Sequence, residues 1–142
     1  MKNLVEILHA GGHSLVLRTA SGSILTFDGR GVSDLHNLYD ANGAALRGAC
    51  IADKIVGVGA AAIMALGGVN SVYADVMSRD AFDLLKKNGV DASCGCEVDQ
   101  IINRARNGRC PLETRIMQLE SPSLDDMWHE IKSFVAELRS GR

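Results

Sequence analysis

The chain has 142 residues, 46% hydrophobic and 23% charged, and a formal net charge of −2. That length fits a single domain that holds together without disulfides, and the composition is that of a globular chain, not a disordered one. The charge balance speaks against a nucleic-acid or anionic-membrane surface, because such surfaces rely on clustered Lys and Arg.

The longest apolar stretch, Ile55 to Val69, is short and glycine-rich for a bilayer span. Met1 to Glu6 carries an acid early and lacks a small-residue cleavage site. A cytoplasmic location follows as the expectation, and with it free thiols at Cys50, Cys94, Cys96 and Cys110.

In chain order, residues 3–10 read as a short helix with Leu4, Ile7 and Leu8 on one face, stopped at Gly11-Gly12. Two β-rich runs, 14–19 and 23–27, flank Ala20-Ser21-Gly22 as an antiparallel hairpin. After the loop Asp28-Gly29-Arg30-Gly31, Ser33 is suited to cap a helix reaching about Asn42. Asp53 reads as the start of a central helix ending at Gly67-Gly68, apolar all round and therefore sandwiched between layers. Gly57 and Gly59 within it imply close packing on that side.

A buried strand over 69–77 follows, then a helix capped by Ser78 that runs to Lys87, then a short strand over 90–94. Residues 99–106 read as helical or irregular, and Ser123 opens a last amphipathic helix to about 139. The Ser121-Pro122 step divides a domain over 1–120 from a C-terminal helical piece over 121–142, packed on that domain or on a partner subunit. Hairpin, helix, strand, helix, strand adds up to an α/β chain with a mixed sheet and helices on both faces.

Four groups of residues carry chemical possibilities. Gly57-Val58-Gly59-Ala60-Ala61-Ala62, with Asp75 downstream at a strand end, matches the dinucleotide fingerprint in its Gly-x-Gly-x-x-Ala form; glycines in a tightly packed helix are the simpler reading. Cys94-Gly95-Cys96 is a close thiol pair that Cys50 and Cys110 would complete to four ligands, but structural zinc usually uses Cys-x-x-Cys, so no metal is expected. Cys110-Pro111-Leu112-Glu113 has the pattern of a helix start, with Glu113 as a capping-box acid. A thiol at such a start is biased toward thiolate, and the alternative role for Cys110 is that of a small buried cap. Asp53-Lys54 places an acid and a base together at the expected start of a buried helix, against the plain alternative of a surface cap.

Several of these segments together resemble a known family: Asp28-Gly29-Arg30-Gly31-Val32, Ala52-Asp53-Lys54-Ile55-Val56, Val72-Tyr73-Ala74-Asp75, Asn103-Arg104, and Gly108-Arg109-Cys110-Pro111-Leu112-Glu113. It is a family of uncharacterised bacterial and archaeal proteins grouped by fold with the cytidine deaminases, and the likeness covers about residues 4–117. The resemblance implies a cytidine deaminase-like, three-layer α/β/α sandwich on a mixed sheet of about five strands.

Zinc deaminases open their first sandwiched helix with His-x-Glu or Cys-x-Glu and the next with Pro-Cys-x-x-Cys. Ala52-Asp53-Lys54 and Met77-Ser78-Arg79-Asp80-Ala81 stand at those places here. Zinc-dependent deamination is therefore not expected, no cofactor is implied, and the resemblance brings no activity with it.

The expected site is a small-molecule site at the start of the central helix. Asp53 and Lys54 would line it and the 103–113 loop would close it. Arg30, Asn103 and Arg104 would bind an anionic or nucleotide-like ligand. Were the chain an enzyme, Cys110 or Lys54 would be the reactive group and Asp53 or Glu113 its acid–base partner. A homodimer is the expected assembly. The alternative is a non-catalytic regulatory or assembly protein in which these residues only cap and pack.

Overall fold

A computed structural model describes residues 1–29, 32–41, 43–101 and 111–140. The elements are α1 (Lys2–Ala10), β1 (Leu15–Arg18), β2 (Ile24–Phe27), α2 (Ser33–Ala41), β3 (Cys50–Val56), α3 (Val58–Gly67), β4 (Ser71–Ser78), α4 (Arg79–Lys87), β5 (Asp91–Val98), α5 (Pro111–Met117) and α6 (Leu124–Arg139). Five strands form one sheet in the order β2-β1-β3-β4-β5. β1 runs antiparallel to β2 and β3, whereas β3, β4 and β5 are mutually parallel.

The hairpin, the Ser78-capped helix and the last helix form as the residues predict. Ser78 Oγ accepts the Ala81 amide at 3.2 Å, and Ser123 and Asp126 form a reciprocal capping box at the start of α6.

The central segment differs from the expectation. Residues 50–56 are a strand, and Asp53 lies inside it rather than at a helix start. The helix begins at Val58, with Gly57 as an extended N-cap, and closes as expected at the left-handed Gly68. Cys50–Val56 is pinned on both sides, by Leu15↔Asp53 and Arg18↔Cys50 toward β1 and by Cys50↔Ser71 through Val56↔Met77 toward β4. A strand with neighbours on both edges and both faces is apolar without alternation. It therefore merges with the apolar helix that follows, and periodicity alone does not separate the two. β5 is also longer than the sequence suggests, reaching Val98.

The sheet separates two cores, because alternate side chains point to opposite faces. Leu15, Leu17 and Ile51 join the larger core, with α3 and residues of α2, α4, α5 and α6. Val16 and Ala52 join Leu4 and Leu8 of α1 on the other face.

Helix α3 is almost wholly buried, and its glycines are contact points. A Cβ at Gly59 would stand 2.8 Å from Leu112 Cδ2 of α5, and one at Gly67 would stand 2.7 Å from the Leu46 side chain. Helix α6 covers α3 with Met127, Ile131 and Val135. Its Trp128 stacks on His36 (centroids 5.2 Å apart) and meets Tyr39 edge-on at 4.7 Å. Among the described residues, no helix is long and apolar enough to cross a membrane.

Candidate functional site

Where β3 ends and α3 begins, a cleft of ≈ 870 Å³ opens. It lies beyond the carboxyl end of a parallel strand, the usual ligand position in open α/β sheets. Asp53, Lys54 and Ile55 of β3, the Gly57 turn, and Leu112 and Glu113 of α5 form one side. Asp28, Ser33 and Asp34 border another, and Phe134, Leu138 and Arg139 of α6 close the wall. Arg115 ties α5 to α6 through Glu130 at 2.6 Å and Glu137 at 2.5 Å, which holds two of these walls together.

Glu113 is the most constrained acid in the cleft. It is 6% exposed. Its carboxylate accepts the Val58 amide at 2.6 Å and the Gly59 amide at 3.0 Å. It thus caps α3 across the fold, and it satisfies donors that every helix start leaves open. Gly57 is required beside it, since a Cβ there would collide with the Glu113 carboxylate.

Asp53 is buried, paired in the sheet with Leu15 of β1 and Ala74 of β4. Burial pushes its carboxyl up to about 7, against the Ile55 and Lys54 amides that favour the charged form; the negative charges of Asp34 and Asp75 add to the rise. Asp34 accepts the Gly29 amide at 3.0 Å, and Asp28 pairs with His13 at 2.8 Å. The cations on the described walls are Lys54 and Arg139, the latter donating to Asn37.

A family model described as TM1506, a domain of unknown function (DUF1893), matches residues 3–135. The chain belongs to the DUF1893 family. The match runs through most of α6, beyond the stretch that the sequence motifs cover. The crystal structure of a DUF1893 family protein, TM1506 from Thermotoga maritima, is similar to this chain with a TM-score of 0.81 at 21% identity, over 94% of this chain and 90% of that one. Likeness at that identity establishes the fold and not an activity. No curated protein matches the chain.

In this DUF1893 chain, the neighbours Asp53 and Lys54 and the sequence-distant Glu113 line one cleft. Arg30, Asn103, Arg104 and Cys110 lie outside the described residues, but Gly29, Val32, Ile101 and Pro111 on either side of them line the same cleft. The anion position expected at the start of the central helix is held by Glu113, and Asp53 and Lys54 are strand residues.

The Gly57–Ala62 segment does have the strand–turn–helix–strand context of a dinucleotide fingerprint. The acid it would need is committed elsewhere. Asp75 binds His9 Nε2 with both oxygens, at 2.9 and 3.0 Å, and accepts the Tyr73 hydroxyl at 3.0 Å. Among the described residues, Cys50 and Cys94 do not gather, because Cys50 packs on the α1 side of the sheet and Cys94 against the larger core.

Sequence reasoning saw Cys50 only as one of four thiols and missed its pairing with Arg18. Arg18 Nη2 lies 3.6 Å from its Sγ, and a hydrogen bond from Ser71, followed by the Arg18 contact and charge, pulls the thiol down despite some burial. The pair Arg18↔Cys50 becomes visible once β3 is read as a strand from residue 50. Asp28 and Asp34 were also missed, although they flank Arg30 in the sequence.

Proposed function

We propose that the cleft binds a small, nucleotide-like or otherwise anionic metabolite, with Asp53 as the acid–base group within it. The observation that carries this reading is the convergence of Asp53, Lys54 and Glu113 on one cleft of ≈ 870 Å³. That size falls in the range of roughly 300–1,000 Å³ found for small-molecule sites.

The anionic part of the ligand would be met by Lys54 and Arg139, because the Val58 and Gly59 amides of α3 are already held by Glu113. Ile55, Leu112 and Phe134 offer an apolar wall for a ring, and Asp28 and Asp34 offer acceptors for hydroxyl or amino groups. A carboxyl titrating near neutrality suits proton transfer at physiological pH. Zinc-assisted deamination forms no part of this reading, since no His or Cys stands at Gly57-Val58-Gly59 or Ser78-Arg79-Asp80, where α3 and α4 begin. The apolar side of α6 is spent on its own core, which weakens the alternative of a purely assembling protein.

A thermal-shift screen with nucleotides and phosphorylated metabolites tests the proposal. A ligand at a hundred times its Kd stabilises by about 2.7 kcal/mol, a shift of several degrees. At least one compound should produce it, and Lys54→Ala should abolish it. A panel without any shift, or a shift indifferent to Lys54→Ala and Asp53→Asn, would overturn the reading.

A further inference from the structure

We infer that Cys94 and Cys96 form a two-thiolate clamp for a monovalent copper ion on β5. Both thiols are free, Cys94 half-buried and Cys96 exposed. They pair along β4 with Ala74 and Val76, so they alternate with Gly95 and share one face of the sheet. That is the face packed on the larger core and α4, where Cys94 makes its contacts. Gly95 backs onto the other face, where a Cβ would stand 3.1 Å from the Tyr73 hydroxyl and from the Asp75 carbonyl.

Strand geometry decides what this pair can do. Residues two apart in a strand are separated by roughly 6.4–6.8 Å, with their Cβ atoms projecting side by side. A disulfide needs Cβ atoms about 3.5–4.5 Å apart around an S–S bond of about 2.05 Å, so the pair falls short by some 2–3 Å. An ion held by two sulfurs at about 2.3 Å each spans up to about 4.6 Å between them and covers that shortfall. The clamp therefore closes around a thiophilic ion without disturbing the strand, whereas a disulfide would have to break the β4–β5 register.

The donor count selects the ion. Structural zinc takes four ligands, and among the described residues no group of three or more His, Cys, Asp or Glu side chains converges to hold a metal. Two thiolates with no third donor among the described residues suit soft monovalent copper, which is stable with two sulfur ligands. Binding exchanges thiol protons for Cu(I) with no change of oxidation state, and it tightens as pH rises.

The test uses reduced, full-length protein titrated anaerobically with Cu(I) against the chromophoric chelator bicinchoninate. One Cu(I) per chain should be retained, lost in Cys94→Ser and in Cys96→Ser, and kept in Cys50→Ser and Cys110→Ser. Iodoacetamide mapping of the copper-loaded wild type should show Cys94 and Cys96 protected and the other two thiols labelled. This measurement decides the matter even if a serine variant fails to fold. Complete transfer of copper to the chelator, retention by a folded Cys94→Ser chain, or a requirement for Cys110 would each overturn the two-thiolate site.

Discussion

The two faces of the sheet use the same residue type in opposite ways. Asp53 on β3 and Asp75 on β4 stand close enough that the charge of one raises the other's carboxyl, yet their surroundings differ. On the α1 side, Asp75 is partly exposed and has His9 and Tyr73 as partners. On the cleft side, Asp53 and Glu113 are buried, and both accept backbone amides. Exposure makes the first arrangement a surface tether of modest value. Burial makes the second a place where protonation and stability are coupled, and this concentrates the chemically promising groups on the many-helix face.

The largest expected effect concerns Asp53. Its carboxyl titrates near 7 in the folded chain, whereas an unfolded Asp titrates near 4. The native state therefore holds a proton that the unfolded state has lost between about pH 4 and 7, so stability falls as pH rises through that window, by a few kcal/mol in all. Asp53→Asn should remove this slope and be the more stable protein at pH 8, while matching wild type near pH 4. Urea unfolding across pH checks it, and a wild-type curve that is flat between pH 4 and 7 would refute it.

Next is Glu113→Ala, which strips two amides of α3 of a buried charged acceptor and should cost roughly 2–3 kcal/mol. Glu113→Gln, which keeps one acceptor oxygen, should cost less. Chemical denaturation ranks the two variants, and equal stability of Glu113→Ala and wild type would remove Glu113 from its capping role.

The smallest effect belongs to the α1 face. With side chains 54% and 32% exposed, the His9–Asp75 pair should show a coupling energy of only about 0.2–1 kcal/mol in a double-mutant cycle of His9→Ala and Asp75→Asn. A coupling as large as the Glu113 effect would erase the contrast between the faces.

Much of the architecture was legible because it rests on local chemistry. Ser78 and Ser123 announce helix starts through side-chain acceptors, Gly68 announces a left-handed helix end, and two β-rich runs around Ala20-Ser21-Gly22 mark the hairpin. The β3–α3 boundary was not legible. A strand buried on both faces and an all-round apolar helix present the same continuous run, and Gly57 looks like an interior glycine until its neighbours are known. The candidate site inherits that ambiguity: Asp53 and Lys54 line the same cleft as Glu113, but the helix start they were assigned to lies farther along the chain.

By itself the sequence determined the element types wherever a cap, a turn or a period marked them, together with the absence of zinc-deaminase motifs and the acids, bases and thiols available for chemistry. Only the tertiary structure decided which of these meet. Glu113 reaches across to cap α3, Asp53 is raised toward neutrality by burial, and Cys50 is separated from Cys94 by the thickness of the sheet. The physical reason is that capping and periodicity act within a few residues, while desolvation and long-range acceptor–donor pairing depend on segments brought together from distant parts of the chain.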